Sequence, residues 1–347
     1  MRITQPVRNA VNAVNAIVPK CYLVGGAVRD MLMGVEPKDY DFVTPLLPDE
    51  VEQHIKDAGR HCWNGNKRFG TLSCKVWFNN QWNVVEITTF RHEEYADNSR
   101  KPTVSYGVGD ITEELSRHDF TVNAIAVKPY GSICDPFKGQ ADIGDGILRA
   151  VGNPTIRFKE DPLRMLRAFR FFSTKGFYIE QTTLKSLTKN LHRLNIVSRE
   201  RWCQEMDKLL LGEFVNYALA AMFYIGIFKH LIPELHLQLN FDQHSPYHKY
   251  PLDVHTRKVV AACPKDVDIR WAALLHDVGK PFTQTFKNSG QANYIFHDIV
   301  GAELVNGIAS RLKWSNARTK TVHDLVLTHI TDPDNPLQGP DSEGQKR

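Results

Sequence analysis

The tripeptide Tyr22-Leu23-Val24 runs straight into Gly25-Gly26, and no other stretch of the chain restricts its fold as much. Three apolar residues followed by paired glycines read as a buried strand ending in a sharp turn, because glycine enters the left-handed backbone region without a steric cost. A helix-like segment, Val28–Met33, follows and leads to a second strand carrying Asp39 and Asp41. On a strand, residues i and i+2 face the same way, so these two carboxylates project side by side. The N–H groups of Gly25 and Gly26 can crowd a phosphate, and Arg29 adds a planar cationic fork. Two hard oxygen ligands beside a phosphate cradle suit Mg²⁺ bridging a nucleoside triphosphate.

The pattern around this unit sets the organisation. Strand candidates are Cys21–Val24, Tyr40–Val43, Gly70–Phe78, Asn83–Phe90 and Asn123–Lys128, with helix candidates at Val28–Met33 and Pro48–Ala58. From Asp161 the period changes, with Leu163, Leu166, Phe169 and Phe172 at helical spacing, as are Trp202, Met206, Leu209 and Leu210. Six of the fourteen histidines follow Pro246 in another helical region. The expected fold class is α+β, a mixed sheet with helices followed by helical domains. The expected domains are an α+β head (1–154), a helical region (155–230) and a second helical domain with a polar tail (231–347).

Charge bears on the partner. The net charge of +4 is modest, but Thr155–Leu210 holds twelve Lys/Arg against six Asp/Glu. That segment can follow a phosphate backbone, or present an ordinary solvated helical face. No run of 18 apolar residues exists, so no membrane span is expected. The six cysteines form no Cys-x-x-Cys and read as reduced thiols of a cytoplasmic protein.

The ordered set of Gly-Gly-x-x-Arg and then Asp-x-Asp resembles the head of the bacterial-type (class II) tRNA nucleotidyltransferase (CCA-adding) and poly(A) polymerase family. The resemblance implies that Glu86, a lone charge in the apolar run Val84–Phe90, completes a trio with Asp39 and Asp41 that holds Mg²⁺; exposure on an edge strand is the alternative. Tyr95–Pro102 resembles the family's flexible loop, linked there to the switch from C to A addition, and a surface loop without a role competes. Arg117-His118-Asp119-Phe120-Thr121-Val122-Asn123-Ala124 matches the family's Arg-Arg-Asp-Phe-Thr-x-Asn-Ala motif. There Asp119 implies selection of the ribose 2′-OH. His118 departs from the usual nucleotide-contacting Arg, and imidazole is shorter and mostly neutral at pH 7.

Glu160-Asp161-Pro162-Leu163-Arg164-Met165-Leu166-Arg167-Ala168-Phe169-Arg170 is the second signature. Pro162 suits a first helical turn and Asp161 can cap it. A carboxylate next to a guanidinium also matches the Watson–Crick edges of cytosine and adenine, each of which presents an amino donor beside a ring-nitrogen acceptor. Asp161 would accept from the amine and Arg164 donate to the ring nitrogen, a match worth ~1–3 kcal/mol of discrimination. At 3.6 residues per turn Arg170 points about half a turn from Asp161, so Arg167 and Arg170 cannot all read one base. The resemblance assigns them to the nucleotide as well; salt bridges are the alternative. Ser198–Leu210 matches the family's neck helix, with Glu205 and Lys208 read as structural.

His255, then His276-Asp277-Val278-Gly279-Lys280, then His297 and His329 resemble the HD superfamily. Imidazole and carboxylate ligands from separate helices suit a second divalent metal. In the family such a domain can carry phosphohydrolase activity, or can be retained merely to hold tRNA. The whole set implies addition of CCA to tRNA 3′ ends from ATP and CTP. The alternatives are a poly(A) polymerase, a CC- or A-adding enzyme, an HD phosphohydrolase with a nucleotide-sensing head, or a non-catalytic tRNA binder.

Overall fold

The computed structural model describes residues 3–66, 70–94, 103–107, 109–246, 248–331, 334, 336 and 337. The chain divides into two compact units, Met1–Asp161 with Glu180–Thr183, and Pro162–Ile179 with Leu184–Arg347. The loop Tyr95–Pro102 and most of the polar tail lie outside the described residues.

The first unit is built on a mixed sheet. Its strands are β1 (Tyr22–Val24), β2 (Tyr40–Thr44), β3 (Cys62–Asn66), β4 (Thr71–Phe78) and β5 (Gln81–Thr89). A ribbon of β6 (Arg91–Glu94) and β7 (Thr103–Tyr106) follows, and then β8 (Ala126–Val127) and β9 (Ile133–Cys134). The sheet runs in the order β3-β4-β5-β2-β1-β8-β9. Only β2 and β5 pair in parallel, with Asp41 opposite Glu86; every other pair is antiparallel.

One face of this sheet is fully covered. The helix Gln5–Asn15 places Val7, Ala10, Val11 and Val14 at helical spacing against it, and Pro48–Asp57 adds Val51 and Ile55. They meet Leu23, Phe42, Leu72, Val76, Val85 and Ile87. Each fully buried aliphatic side chain contributes roughly 1.5–3 kcal/mol. The other face is covered by Leu115, Ala124, Phe90 and Val151 near Val24, Val43 and Ala126. Over β4 and β5 it stays open, because Lys75, Trp77, Trp82, Val84 and Glu86 alternate outward with buried neighbours.

Several boundaries differ from the sequence expectation. The strand β2 starts at Tyr40, so Asp39 stands at its entry rather than within it. Asn123–Lys128 is not one strand: Thr121–Asn123 forms a 3₁₀ turn and only Ala126–Val127 pairs. Buried polar bonds hold that turn, with the Thr121 hydroxyl donating to Asp142 (2.6 Å) and Asn123 donating to Asp119 (2.8 Å). Pro162, rather than Asp161, occupies the N-cap of the helix Leu163–Lys175. Asp161 instead closes the helix Pro154–Glu160 in extended backbone.

The second unit is helical. Leu163–Lys175 packs on Arg199–Leu210, and Val215–Tyr224 packs on Leu252–Ala262. Val267–Leu275 and His297–Leu312 both pack on Asn316–Thr328. The mixed sheet followed by a helical region is the α+β class expected from the sequence. The six cysteines are free thiols. No helix among the described residues is long and apolar enough to cross a membrane.

Candidate active site and metal centre

The open face of the first unit carries the carboxylates. Asp41 and Glu86 are paired across parallel strands, and Asp39 precedes Asp41 by one pleat, with all three side chains exposed. Partial desolvation at the sheet surface, with the charges of Glu86 and Asp39, pushes the Asp41 carboxyl up from 3.8 to about 6. Carboxylate oxygens are hard donors of the kind that Mg²⁺ takes.

Beside them, Gly25 turns the chain with φ 71° and ψ −132°, a conformation closed to residues with a Cβ. Space is not the constraint, since an added Cβ would lie 3.8 Å from His118 Cε1. His118 is thereby placed against the glycine turn. At Gly26 a Cβ would come 3.5 Å from Arg29 Nη2. Arg29 is buried beneath the turn, where Nε and Nη2 donate to Asp30 Oδ1 (2.9 and 2.8 Å). Its Nη1 donates to Asn123 Oδ1 at 2.7 Å. Asn123 in turn donates to Asp119 Oδ1, which also accepts from the Phe120 N–H (both 2.8 Å). The structure therefore joins Arg29, Asn123 and Asp119 into one buried chain of hydrogen bonds.

Asp30 and Asn123 were not singled out as site residues from the sequence. Asn123 had a visible signal, as a lone amide in the buried run Phe120–Val127. Asp30 had none beyond its place next to Arg29.

On the helix Leu163–Lys175, Leu163, Met165, Leu166, Ala168, Phe169 and Phe171 are buried. Arg164, Arg167 and Arg170 recur every three residues as a half-buried stripe. Arg170 forms an ion pair with Glu205 on Arg199–Leu210 (2.7 Å) and stacks over Phe171 at 4.2 Å. Glu205 is thus tied to a member of the arginine stripe. Ser198 occupies the N-cap of Arg199–Leu210 without a side-chain capping bond.

In the second unit the predicted histidines converge on Asp277 from four helices. His255 lies within Leu252–Ala262, and His276 caps Val267–Leu275. His297 opens His297–Leu312, and His329 caps Asn316–Thr328. His255 Nε2 and His276 Nε2 stand 3.4 and 3.1 Å from Asp277 Oδ2. His297 Nε2 and His329 Nε2 stand 3.4 and 3.6 Å from Oδ1. Two ligand triads thus share one carboxylate, with ligand atoms in each lying within 4.8 Å of one another.

The tautomers are dictated by the backbone. His276, His297 and His329 each direct Nδ1 at a carbonyl three residues earlier, those of Ala273 (2.8 Å), Tyr294 (2.6 Å) and Val326 (2.6 Å). A carbonyl only accepts, so Nδ1 carries the proton and Nε2 presents its lone pair to Asp277. Lone pairs of His297 and His329 then face each other at 3.3 Å. A divalent cation suits this arrangement, and the donors are the borderline imidazoles that transition metals prefer. Burial pushes His255 down to about 3, keeping it neutral and able to ligate. Burial pushes Asp277 up, but the Lys280 ammonium beside Oδ2 helps to hold it well below the usual carboxylate range.

Two more residues belong to this cluster. Lys280 is buried, with Nζ 2.8 Å from Asp277 Oδ2 and donating to Gln243 Oε1 at 3.0 Å. His248 lies 5.9 Å from His255 ring to ring, and burial with the nearby Lys280 pushes it down to about 4. Lys280 stood in the His-Asp-x-Gly-Lys motif without a role, and nothing in the spacing marked His248.

The matches to known proteins agree with this division. Residues 21–149 match the poly A polymerase head domain, 176–239 the probable RNA and SrmB-binding site of polymerase A, and 256–346 the HD domain. The first unit is accordingly a head of the nucleotidyltransferase class, joined to an HD-type half. The chain is 35% identical over 298 residues to a CCA-adding enzyme of Lactococcus lactis subsp. cremoris, covering 83% of this chain and 68% of that one. It is 36% identical over 277 residues to a CCA-adding enzyme of Geobacillus thermodenitrificans, covering 77% and 62%. A crystal structure of the Bacillus stearothermophilus CCA-adding enzyme in complex with CTP aligns with a TM-score of 0.60 at 26% identity, over 99% of this chain and 82% of that one. The chain belongs to the CCA-adding enzyme family. It spans 52% to 62% of the length of several curated relatives.

Proposed function

We propose that this protein adds C, C and A to the 3′ ends of immature tRNA from CTP and ATP in the cytoplasm, without a nucleic-acid template. The observation that carries this reading is the carboxylate trio on an open sheet face, beside a glycine turn held over a buried arginine. Asp39, Asp41 and Glu86 would hold Mg²⁺. When bound, the metal would lower the pKa of the RNA 3′-hydroxyl and neutralise charge on the departing pyrophosphate. The Gly25–Gly26 turn and Arg29 position the triphosphate, with His118 beside them. Asp119, fixed by Asn123, accepts from the ribose 2′-OH. Asp161 and Arg164 read the amino and ring-nitrogen groups shared by cytosine and adenine, and Arg167 and Arg170 support the nucleotide.

The test is incubation with tRNA ending at the discriminator base, CTP and ATP, followed by sequencing of the products. Addition of CCA is expected. Runs of A, or a stop at CC or A, would assign a poly(A) polymerase or a partial enzyme. Combined Asp39→Ala and Asp41→Ala is expected to lower labelled-CTP incorporation at least about a hundredfold. Undiminished incorporation would remove the proposal.

A second activity is favoured by the Asp277 cluster. The HD half would hold a divalent transition metal through His255, His276 and Asp277, with His297 and His329 on the other carboxylate oxygen, and hydrolyse phosphomonoesters or 2′,3′-cyclic phosphates. Loss of hydrolysis in His276→Ala, with CTP incorporation intact, is the expected result. Hydrolysis surviving that change refutes the assignment.

A further inference from the structure

The open face that ends at the carboxylates does not stop there. In the pairing of β4 with β5, Ser73 stands opposite Glu86, Lys75 opposite Val84, and Trp77 opposite Trp82. Because β2 pairs in parallel with β5, Asp41 joins the Glu86–Ser73 row, and Trp63 of β3 extends it on the far side of Ser73. Successive rows on one face are two residues apart, or ~6.7 Å. The Trp77–Trp82 row therefore lies about 13 Å from the Glu86 row along the same surface.

This surface is unusually aromatic for one facing water. Trp77 and Trp82 are 50% and 52% exposed, Val84 is 52% and Trp63 is 37%. The two neighbouring indoles meet edge to face with centroids 5.5 Å apart, which leaves ring surface turned outward. Arg60 lays its guanidinium 4.8 Å over the Trp82 ring, and its buried Nε has no hydrogen-bond partner among the described residues. Lys75 is exposed between the tryptophan row and the carboxylate row. Interleaved indoles and cations are poor packing for solvent, but they are what an unpaired nucleic-acid strand recognises. Bases stack on the rings and phosphates meet the cations, with little dependence on sequence.

We infer that Trp77, Trp82, Lys75 and Arg60 form a stacking platform for unpaired RNA leading to its 3′ end, whose terminal hydroxyl meets the carboxylate row. The occupant is RNA rather than a protein partner, because the platform is continuous with the carboxylates and sets Lys75 and Arg60 beside its indoles. This rests on the nucleotidyl-transfer reading and adds to it a binding surface outside the nucleotide site.

The experiment separates the two. Binding of a tRNA transcript lacking CCA, and of a single-stranded oligoribonucleotide, is measured by fluorescence anisotropy for the wild type, Trp77→Ala with Trp82→Ala, and Trp82→Phe. Incorporation of CMP is followed in parallel. The double variant is expected to bind both RNAs about 5- to 100-fold more weakly per lost stacked base, with an unchanged KM for CTP. Trp82→Phe should keep most of the affinity. RNA affinity within about twofold of wild type, in a double variant of unaltered melting temperature, overturns the platform whether or not CMP is incorporated. If that variant instead changes oligomeric state while RNA binding persists, the face joins copies of this chain and the inference falls. Weakened RNA binding in a protein that incorporates no CMP would sustain the platform while removing the transferase reading.

Discussion

Asp41 shows how a single carboxyl can hold stability and function in opposition. Its folded-state pKa, about 6, lies above the ordinary 3.8, so between these values the folded chain keeps a proton that the unfolded chain has released. The stabilisation from that proton is present below pH 3.8 and is lost as the pH rises through about 6. Near neutrality the group is a charge the fold carries at a cost, one that a bound cation offsets. In chelator-treated protein, Asp41→Asn is therefore expected to raise the melting temperature near neutral pH and to flatten its decline between pH 4 and 6. An unchanged pH profile would contradict this. Asn123 works the other way, since it supplies both an acceptor to Arg29 and a donor to Asp119. Asn123→Ala removes one buried hydrogen bond from each of Arg29 and Asp119, an expected loss of about 1–3 kcal/mol. It should also relax the preference for CTP over dCTP, because Asp119 loses the bond that aims it. Preference retained alongside a lowered melting temperature would confine Asn123 to a structural role.

At the scale of elements, the HD motif depends on a helix approaching a loop more closely than a side chain allows. A Cβ on Gly279 would lie 2.2 Å from the carbonyl oxygen of His297 and 2.8 Å from the Gly301 nitrogen. Gly279→Ala must push His297–Leu312 away from Asp277, at an expected cost of about 1–3 kcal/mol together with weakened metal binding. Gly144→Ala, where an added Cβ meets nothing within 4 Å, is the control that should leave both unchanged. Metal affinity equal in the two variants would argue against the close approach. The strands β4 and β5 were legible in the sequence because one face is buried and the other open, which forces strict alternation. The helix Gln5–Asn15 was not, since its three asparagines and Pro6 dilute a four-residue apolar stripe. Asn123–Lys128 looked like one strand because its apolar residues are buried for two reasons, pairing at Ala126–Val127 and packing beside a polar-bonded turn. The candidate ligands His255, His276 and Asp277 could be read from motif spacing. His248 and the partners of Lys280 could not, because Gln243 and His248 reach the cluster through the irregular segment before Leu252.

Taken as a whole molecule, the chain places two candidate cation sites of contrasting chemistry in separate compact units. The first offers carboxylate oxygens alone, from Asp39, Asp41 and Glu86, which suits a hard ion such as Mg²⁺. The second offers four imidazoles around one buried carboxylate, which suits a softer transition metal. Binding to a folded site stabilises the unit that contains it, by about 2.7 kcal/mol at a hundredfold excess over the dissociation constant. Each metal should then slow amide hydrogen exchange mainly in its own unit. Mg²⁺ is expected to protect residues 22–44 and 81–89, while Mn²⁺, Co²⁺ or Ni²⁺ protects the helices that carry His255, His297 and His329. His276→Ala should abolish the second effect and spare the first, with Asp41→Asn doing the reverse. If one metal protected both units equally, or if His276→Ala kept its protection by the transition metal, the two sites would not be chemically separate and the case for an independent hydrolytic centre would fail with them.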